Sequence, residues 1–181
     1  MAKIALIGLY DSWMIGLRNL SNALIEQGHD VSMIHFKLMA IQKESFYIKN
    51  TLQYQTVDTM ASRDKVVVSS YNTDAGLWNY NELMLLGDLL KELKPDIIGL
   101  STRSVYEKYT LEIIEQIKRV AGALTIAGGH DASFRPEVYL NHFDFVCVGE
   151  GEDAIVGLAE SIGRRDKQKT INNLVFKVAN A

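Results

Sequence analysis

Glycine pairs and hydroxyl-bearing residues directly follow several short apolar runs of the sequence. These stretches are Tyr10-Asp11-Ser12-Trp13, Ser101-Thr102-Arg103, Gly128-Gly129 and Gly149-Glu150-Gly151-Glu152. Glycine at the end of a strand lets the backbone turn sharply and lets a flat or charged ligand approach without a Cβ in the way. Hydroxyl groups both donate and accept hydrogen bonds. Together these residue types predict a site that holds a ligand through bare backbone and hydroxyl groups.

The same stretches lack the patterns of several common catalytic and nucleotide-binding motifs. No Ser–His or Cys–His pair has a spacing typical of nucleophilic catalysis. Gly8 is followed by Tyr10 and Trp13 where a dinucleotide fingerprint has glycines. A phospho-receiver domain needs an aspartate at the end of the third strand, where this chain has Ser101. The one cysteine, Cys147, cannot form an internal disulfide or a multi-cysteine metal site, and its apolar surroundings are typical of a core residue.

The elements that position these stretches follow from the apolar runs. Short, β-branched-rich runs bounded by turn residues predict buried parallel strands at residues 3–9, 31–36, 97–100, 124–127 and 143–148, with a late run at 174–178. Helical spacing predicts helices at 15–27, 82–93, 109–121, 136–141 and 152–162. The opening strand, helix and strand form a βαβ unit with a right-handed crossover. The sequence therefore predicts an α/β fold: a doubly wound, mostly parallel five-stranded sheet of Rossmann-like, flavodoxin-type topology, with an extra strand at one edge.

Residues 37–80 have the weakest secondary-structure pattern in the chain. They are polar and rich in Gln, Asn, Ser and Thr, with one β-branched run at Val66-Val67-Val68. The segment is too long for an ordinary crossover, so it is either an inserted excursion with its own helix or a flap that faces a partner.

Composition limits the classes of partner. The chain has 181 residues, 48% of them apolar, which is enough for one domain with a single substantial core. The net charge is -3, and no Lys/Arg cluster has the density of a nucleic-acid or polybasic membrane surface. No signal peptide or run of membrane-spanning length is present. We expect a soluble cytoplasmic protein that binds a small ligand and contacts neither nucleic acid nor a membrane.

The predicted strand order brings the polar loops together. In a flavodoxin-like sheet of order 2-1-3-4-5, the first and third strands are neighbours at the switch point, where ligands bind beyond the carboxyl ends. The loops that begin at Tyr10, Ser101 and Gly128 should therefore converge on one crevice.

These residues also resemble a known family. Asp11 to Gly16 (DSWMIG) stand where cobalamin-binding Rossmann-like domains carry D-x-H-x-x-G, Ser101-Thr102 where they carry S-x-L or S-x-T, and Gly128-Gly129 match their GG. The series PDIIGLS, IAGGHDAS, RPE and DFVCVGEGE more specifically resembles the N-terminal cobalamin (vitamin B12)-binding domain of radical S-adenosylmethionine enzymes. That group includes class B methyltransferases and the anaerobic magnesium-protoporphyrin cyclase. The resemblance covers nearly all of the chain except residues 37–80.

The resemblance implies that cobalamin binds base-off, with its dimethylbenzimidazole tail in the crevice. The residues it places at the cofactor are Asp11, Ser12, Trp13, Gly16, Ser101, Thr102, Arg103, Gly128, Gly129, His130, Gly149, Glu150 and Gly151. Trp13 occupies the position of the family's cobalt-ligating histidine, and an indole nitrogen is only a donor. The corrinoid would thus be held without a protein histidine ligand. His130 is expected to be a loop histidine, and neither a catalytic residue nor a metal ligand is assigned to this chain.

The resemblance also implies partners and a division of labour. The chain has no C-x-x-x-C-x-x-C loop, so it should not be a catalyst alone. The expectation is a single domain over residues 1–181, followed after Ala181 by a radical S-adenosylmethionine barrel that holds a 4Fe-4S cluster and S-adenosylmethionine. The parent enzyme would carry out methyl transfer or cyclisation. Two alternatives remain open: a cofactor-free docking domain, and a flavin- or nucleotide-binding domain.

Overall fold

A computed structural model describes residues 1–9, 14–36, 80–162 and 171–177, and the backbone of two strands at 53–59 and 62–68. Three of the predicted site residues lie outside the described residues: Asp11, Ser12 and Trp13. The same holds for residues 37–52, 60–61 and 69–79.

The described residues form one sheet of eight strands. In chain order these are β1 (Lys3–Leu9), β2 (Asp30–Phe36), β3 (Gln53–Thr59), β4 (Ser62–Val68), β5 (Ile97–Ser101), β6 (Leu124–Gly128), β7 (Phe145–Cys147) and β8 (Leu174–Val175). Their order across the sheet is β3-β4-β2-β1-β5-β6-β7-β8. The central five, β2-β1-β5-β6-β7, are parallel and reproduce the predicted order 2-1-3-4-5. The predicted doubly wound, flavodoxin-type fold is confirmed.

The sequence predicted the strand at one edge of the sheet but not the two strands at the other edge. At one edge, β8 pairs antiparallel with β7, which confirms the extra edge strand over a shorter range than the apolar run. At the other edge, β4 extends the sheet parallel to β2, and β3 folds back antiparallel on β4. The described part of segment 37–80 is thus a β-hairpin that joins the sheet. The Val66–Val68 run lies in β4.

Helices cover both faces of the sheet. They are α1 (Ile15–Glu26), α2 (Tyr80–Leu93), α3 (Glu107–Val120), α4 (His130–Phe134), α5 (Pro136–Leu140) and α6 (Glu152–Ser161). One core packs α2, α3, α4 and α5 against alternate strand residues such as Ala5 and Ile7. A second core packs α1 and α6 against the intervening residues, such as Ile4 and Leu6. Because both faces are covered, the parallel strands read as continuous apolar runs rather than as alternating ones.

Two local expectations need correction. His130 is not a loop histidine, because it begins α4 directly after Gly129. Strand β7 covers only Phe145–Cys147 of the predicted 143–148, since Phe143 packs in the α2/α3 core before the strand begins.

Candidate functional site

A cavity of about 430 Å³ opens at the carboxyl ends of β1, β5, β6 and β7. Leu17 and Leu20 of α1 and Ile155 of α6 form its apolar walls. Its floor consists of strand residues and glycine backbone, and includes Leu6, Gly99, Ile126 and Cys147. A crevice of this kind at the switch point of a doubly wound sheet is the usual ligand position in this architecture.

Most of the site residues expected from the sequence converge on this crevice. Those that line the main cavity are Gly16, Ser101, Gly128, Gly129, His130, Gly149, Glu150 and Gly151. A smaller adjoining cavity of about 160 Å³ adds Thr102 and Arg103 and shares Gly16, Ser101, Gly129 and His130 with the first. The structure therefore brings together the residues that begin at Ser101 and Gly128, as the strand order predicted, and adds the loop after β7. The predicted loop at Tyr10 lies outside the described residues.

Two of the glycines leave space that a side chain would fill. A Cβ at Gly16 would meet no atom within 4 Å, and a Cβ at Gly128 would lie 3.8 Å from the Cβ of Cys147. A Cβ at Gly151 would be 3.1 Å from a methyl group of Leu20. All three glycines line the crevice, so backbone from three separate elements borders it.

Gly129 has a different role. Its φ is +104°, and a Cβ there would lie 2.8 Å from the carbonyl oxygen of Thr102, closer than real Cβ contacts. Glycine is therefore required at 129 by the backbone itself, because the loop after β6 passes directly against the loop after β5.

Thr102 stabilises that close approach. Its buried hydroxyl donates to the carbonyl oxygen of Gly128 at 3.0 Å and accepts from the amide of Ala132 at 3.0 Å. The hydroxyl thus ties the end of β5 to the end of β6 and to α4. Both hydrogen bonds lie within the protein, so Thr102 shapes the smaller cavity more than it offers a hydroxyl to a ligand.

Ser133 ties the two glycine loops to each other. Its hydroxyl donates to the carbonyl oxygen of Gly129 at 3.0 Å and accepts from the amide of Gly149 at 2.9 Å. This one side chain fixes the loop after β7 relative to the loop after β6. The sequence analysis did not select Ser133.

A charged network anchors α4 from the other side. Asp131 is 6% exposed, and its carboxylate accepts hydrogen bonds from the Arg135 guanidinium at 2.6–2.9 Å and from the hydroxyl of Tyr139. Arg135 also donates to Glu107 of α3 at 2.7 Å. Burial alone would raise the pKa of Asp131, but the hydrogen bonds from Arg135 and Tyr139 outweigh it and lower that pKa. Burial and the neighbouring carboxylate raise the pKa of Tyr139, which stays a neutral donor.

Cys147 lies in the cavity floor as a neutral thiol. Burial, followed by the nearby charges of Glu152 and Glu150, raises its pKa to about 11. Its sulfur is 3.6 Å from the carbonyl oxygen of Glu150. A thiol in this state is a poor nucleophile and a poor metal ligand, because both roles require the thiolate. The sequence-based assignment of Cys147 to the core agrees with its 5% exposure.

The apolar walls and α4 are the parts of the crevice that the sequence analysis missed. The missed lining residues are Leu6, Leu17, Leu20, Gly99, Leu100, Ile126, Ser133, Phe134, Cys147, Glu152 and Ile155. One signal was available for α4. A helix that begins at His130 places residues 133 and 134 on the face of His130, because positions i, i+3 and i+4 are neighbours.

Neither a metal centre nor a membrane span is found within the described ranges. No group of three or more His, Cys, Asp and Glu side chains there is arranged to hold a metal ion. None of the helices in those ranges is long and apolar enough to cross a membrane.

The parallel sheet and its glycine-lined crevice define a Rossmann-like ligand-binding domain. Residues 86–159 match the family model of the B12 binding domain. This segment runs from within α2 into α6 and includes β5, β6, β7 and the glycine loops that follow them. No curated protein sequence matches the chain.

Solved structures of cobalamin enzymes share the fold. The radical S-adenosylmethionine methyltransferase TsrM from Kitasatospora setae, solved with cobalamin and a 4Fe-4S cluster bound, aligns with 98% of this chain at 16% identity and a TM-score of 0.66. The cobalamin-dependent S-adenosylmethionine radical enzyme OxsB aligns with 97% at 17% identity and a TM-score of 0.61. At these identities the likeness is one of fold. This chain spans 28% of the length of TsrM and 20% of that of OxsB.

Proposed function

We propose that this domain binds cobalamin in the crevice and serves as the cobalamin-binding module of a radical S-adenosylmethionine enzyme. The observation that carries the proposal is the glycine-lined apolar cavity of about 430 Å³, most of which is built by the segment that matches the family model of the B12 binding domain. The residues are of the right type for such a ligand, since apolar walls, bare backbone and a few hydroxyls suit a large, mostly uncharged molecule.

The size of the cavity supports the base-off mode. A volume of 430 Å³ accommodates a small planar group but not a whole corrinoid. The dimethylbenzimidazole tail is the part of cobalamin that is flat, apolar and small enough to enter. We assign to the tail the two glycines that leave space, Gly16 and Gly128, with Ser101 as a hydrogen-bonding group beside them. The corrin would then lie outside the cavity, near its mouth.

The absence of a histidine ligand is the second part of the proposal. Trp13 stands in the ligand position of the family motif, after Asp11 and Ser12 and before Gly16. Reduction of bound cobalamin to the cobalt(II) form makes the axial ligand visible by electron paramagnetic resonance, because one coordinated nitrogen splits each cobalt line into three. We expect no such splitting in the protein that carries Trp13. In Trp13→His, imidazole can supply the nitrogen and the splitting should appear. A three-line pattern in the parent protein would contradict the assignment.

Parallel ligand binding tests the function itself. The chain is mixed with hydroxocobalamin, FMN and NAD separately, desalted, and examined by absorption spectroscopy. We expect retention of cobalamin alone. Retention of FMN or NAD would favour a flavin or nucleotide domain, and retention of none would favour a cofactor-free docking domain.

A matched pair of glycine variants places the ligand in the crevice. Gly16→Leu adds a side chain at the cavity mouth without helix strain, because a Cβ there meets no atom within 4 Å. Gly122→Leu adds the same side chain at an equally open position outside the crevice, before β6. We expect Gly16→Leu to weaken cobalamin binding at least tenfold and Gly122→Leu to leave it unchanged. Equal affinities in the two variants would show that cobalamin binds elsewhere.

The proposed catalytic partner is a separate domain of a longer enzyme. The 4Fe-4S cluster and S-adenosylmethionine would belong to a catalytic radical S-adenosylmethionine domain outside these residues, and methyl transfer or cyclisation would take place there. Support comes from the likeness in fold to TsrM and OxsB, of which this chain covers only a part.

A further inference from the structure

Phe134 is the most unusual residue of the crevice. It is 82% exposed, yet it lines the main cavity together with His130 and Ser133. All three lie on one face of α4, at positions i, i+3 and i+4. A large aromatic side chain held at the rim of an apolar cavity loses much of its contact with water when a ligand enters.

The backbone that carries Phe134 is held in place on every side. The preceding residue, Ser133, is bonded to Gly129 and Gly149, and Ala132 donates to Thr102. The following residue, Arg135, is paired with Asp131 and Glu107. An exposed aromatic residue on such an anchored segment is preorganised, so little backbone entropy is lost when a ligand packs on it.

We propose that Phe134 is a specificity-determining contact for the planar aromatic base of the ligand tail. This inference rests on the proposed function and goes beyond it, because it assigns a contact to a residue outside the glycine and hydroxyl motifs. Most apolar side chains that line the cavity are aliphatic, and among the described lining residues Phe134 is the one with an apolar aromatic ring, His130 being an imidazole. Aromatic rings prefer offset-stacked or edge-to-face contacts with one another, and these add binding energy beyond the area that they bury.

The test compares cobalamin with cobinamide, which has the corrin but lacks the benzimidazole nucleotide. Dissociation constants are measured by absorption titration for the parent protein and for Phe134→Ala, Phe134→Leu and Phe134→Trp. Phe176→Ala is the matched control. Phe176 is 53% exposed and packs edge-on against Phe145, away from the crevice.

We expect Phe134→Ala to bind hydroxocobalamin about five- to tenfold more weakly, which is the range of an aromatic contact. The affinity for cobinamide should stay within about twofold of the parent, since an aromatic contact with the base adds nothing when the base is absent. Among the variants, Trp should restore the affinity for hydroxocobalamin and Leu should restore it only partly. Phe176→Ala should leave both affinities unchanged.

Two results would overturn the inference: an unchanged affinity of Phe134→Ala for hydroxocobalamin, or an equal loss for both corrinoids. If cobinamide binds neither the unsubstituted protein nor Phe134→Ala, the inference is tested by hydroxocobalamin alone. The affinities should then fall in the order Phe or Trp, Leu, Ala at position 134, and any other order would overturn the inference. Failure of the proposed function gives a different result, since the parent protein would then bind neither corrinoid.

Discussion

At the scale of single residues, neighbouring glycines of one loop have separate reasons to be glycine. Gly128 lies in a strand and lines the cavity, and a Cβ there would make only an ordinary contact, so its lack of a side chain serves the cavity. Gly129 has a positive φ and touches the backbone of Thr102, so its lack of a side chain serves the fold. Only substitutions at Gly128 can therefore report on ligand binding without also disturbing the loop.

The first residue-scale prediction concerns this difference. Gly129→Ala should lower the free energy of unfolding by about 1–3 kcal/mol from backbone strain, with the clash against Thr102 added to that. Gly128→Ala should stay within about 1 kcal/mol of the parent, because its Cβ makes an ordinary contact at 3.8 Å. Urea unfolding followed by circular dichroism measures both. Equal stabilities of the two variants would contradict the proposed division of roles.

The second residue-scale prediction uses Cys147, the one cysteine of the chain. Because its pKa is raised to about 11, only a very small fraction is thiolate near neutral pH. Alkylation by iodoacetamide at pH 8 should be roughly 200-fold slower in the folded protein than in urea, where the pKa returns to about 8.5. The folded rate should rise about tenfold per pH unit from pH 7 to 9.5. A folded rate that levels off near pH 8.5 would show that the thiol is not shielded.

At the scale of elements, α4 is a five-residue helix whose position is set by charge. Its own hydrogen bonds are too few to hold it, since a helix this short is unstable in isolation. Asp131, Arg135, Tyr139 and Glu107 connect it to α5 and α3, while Ser133 connects it to the glycine loops. The same helix carries His130 and Phe134 to the crevice, so its anchoring bears directly on the site.

The element-scale prediction follows from the lowered pKa of Asp131. A carboxyl group whose pKa is lower in the folded than in the unfolded chain contributes stability above its unfolded value, about 4, and loses it as the pH falls through the folded value. Asp131→Asn should cost about 1–3 kcal/mol at pH 7 and reduce the acid-dependent loss of stability below pH 4.

Thermal melts between pH 3 and pH 7 measure this effect. The control is Asp88→Asn, which removes an exposed carboxylate paired with Lys91 at 3.1 Å and should cost little. If Asp131→Asn and the unsubstituted protein lose the same stability between pH 7 and pH 3, another carboxyl group controls the stability in acid.

At the scale of the whole molecule, the crevice is assembled by two parts of the chain. Segment 86–159 supplies β5, β6, β7, α4 and α6, and the residues before it supply β1 and α1. The contact of α1 with α6 closes one side of the crevice, as both helices pack in the same core. We expect neither part to retain cobalamin alone, because the wall formed by Leu17 and Leu20 faces the glycine loops of the other part.

The whole-molecule prediction concerns catalysis. The chain has one cysteine, and a 4Fe-4S cluster of the type that cleaves S-adenosylmethionine needs three. After cluster reconstitution and reduction with dithionite, we expect no 5′-deoxyadenosine from S-adenosylmethionine by liquid chromatography. Its formation by the purified chain would contradict the proposal that catalysis belongs to a separate domain.

The sequence by itself determined the central sheet and the loops at its carboxyl edge. Local apolar runs and the βαβ connectivity fix five parallel strands in a definite order, and that order alone brings Ser101 beside Gly128. The sequence did not predict the β3–β4 hairpin, because polar strands at an edge have no distinct hydrophobic pattern. Only the tertiary structure decided which side chains face the cavity. The roles of Gly129 and Ser133 depend on contacts between loops that are distant in the chain, and no local pattern records such contacts.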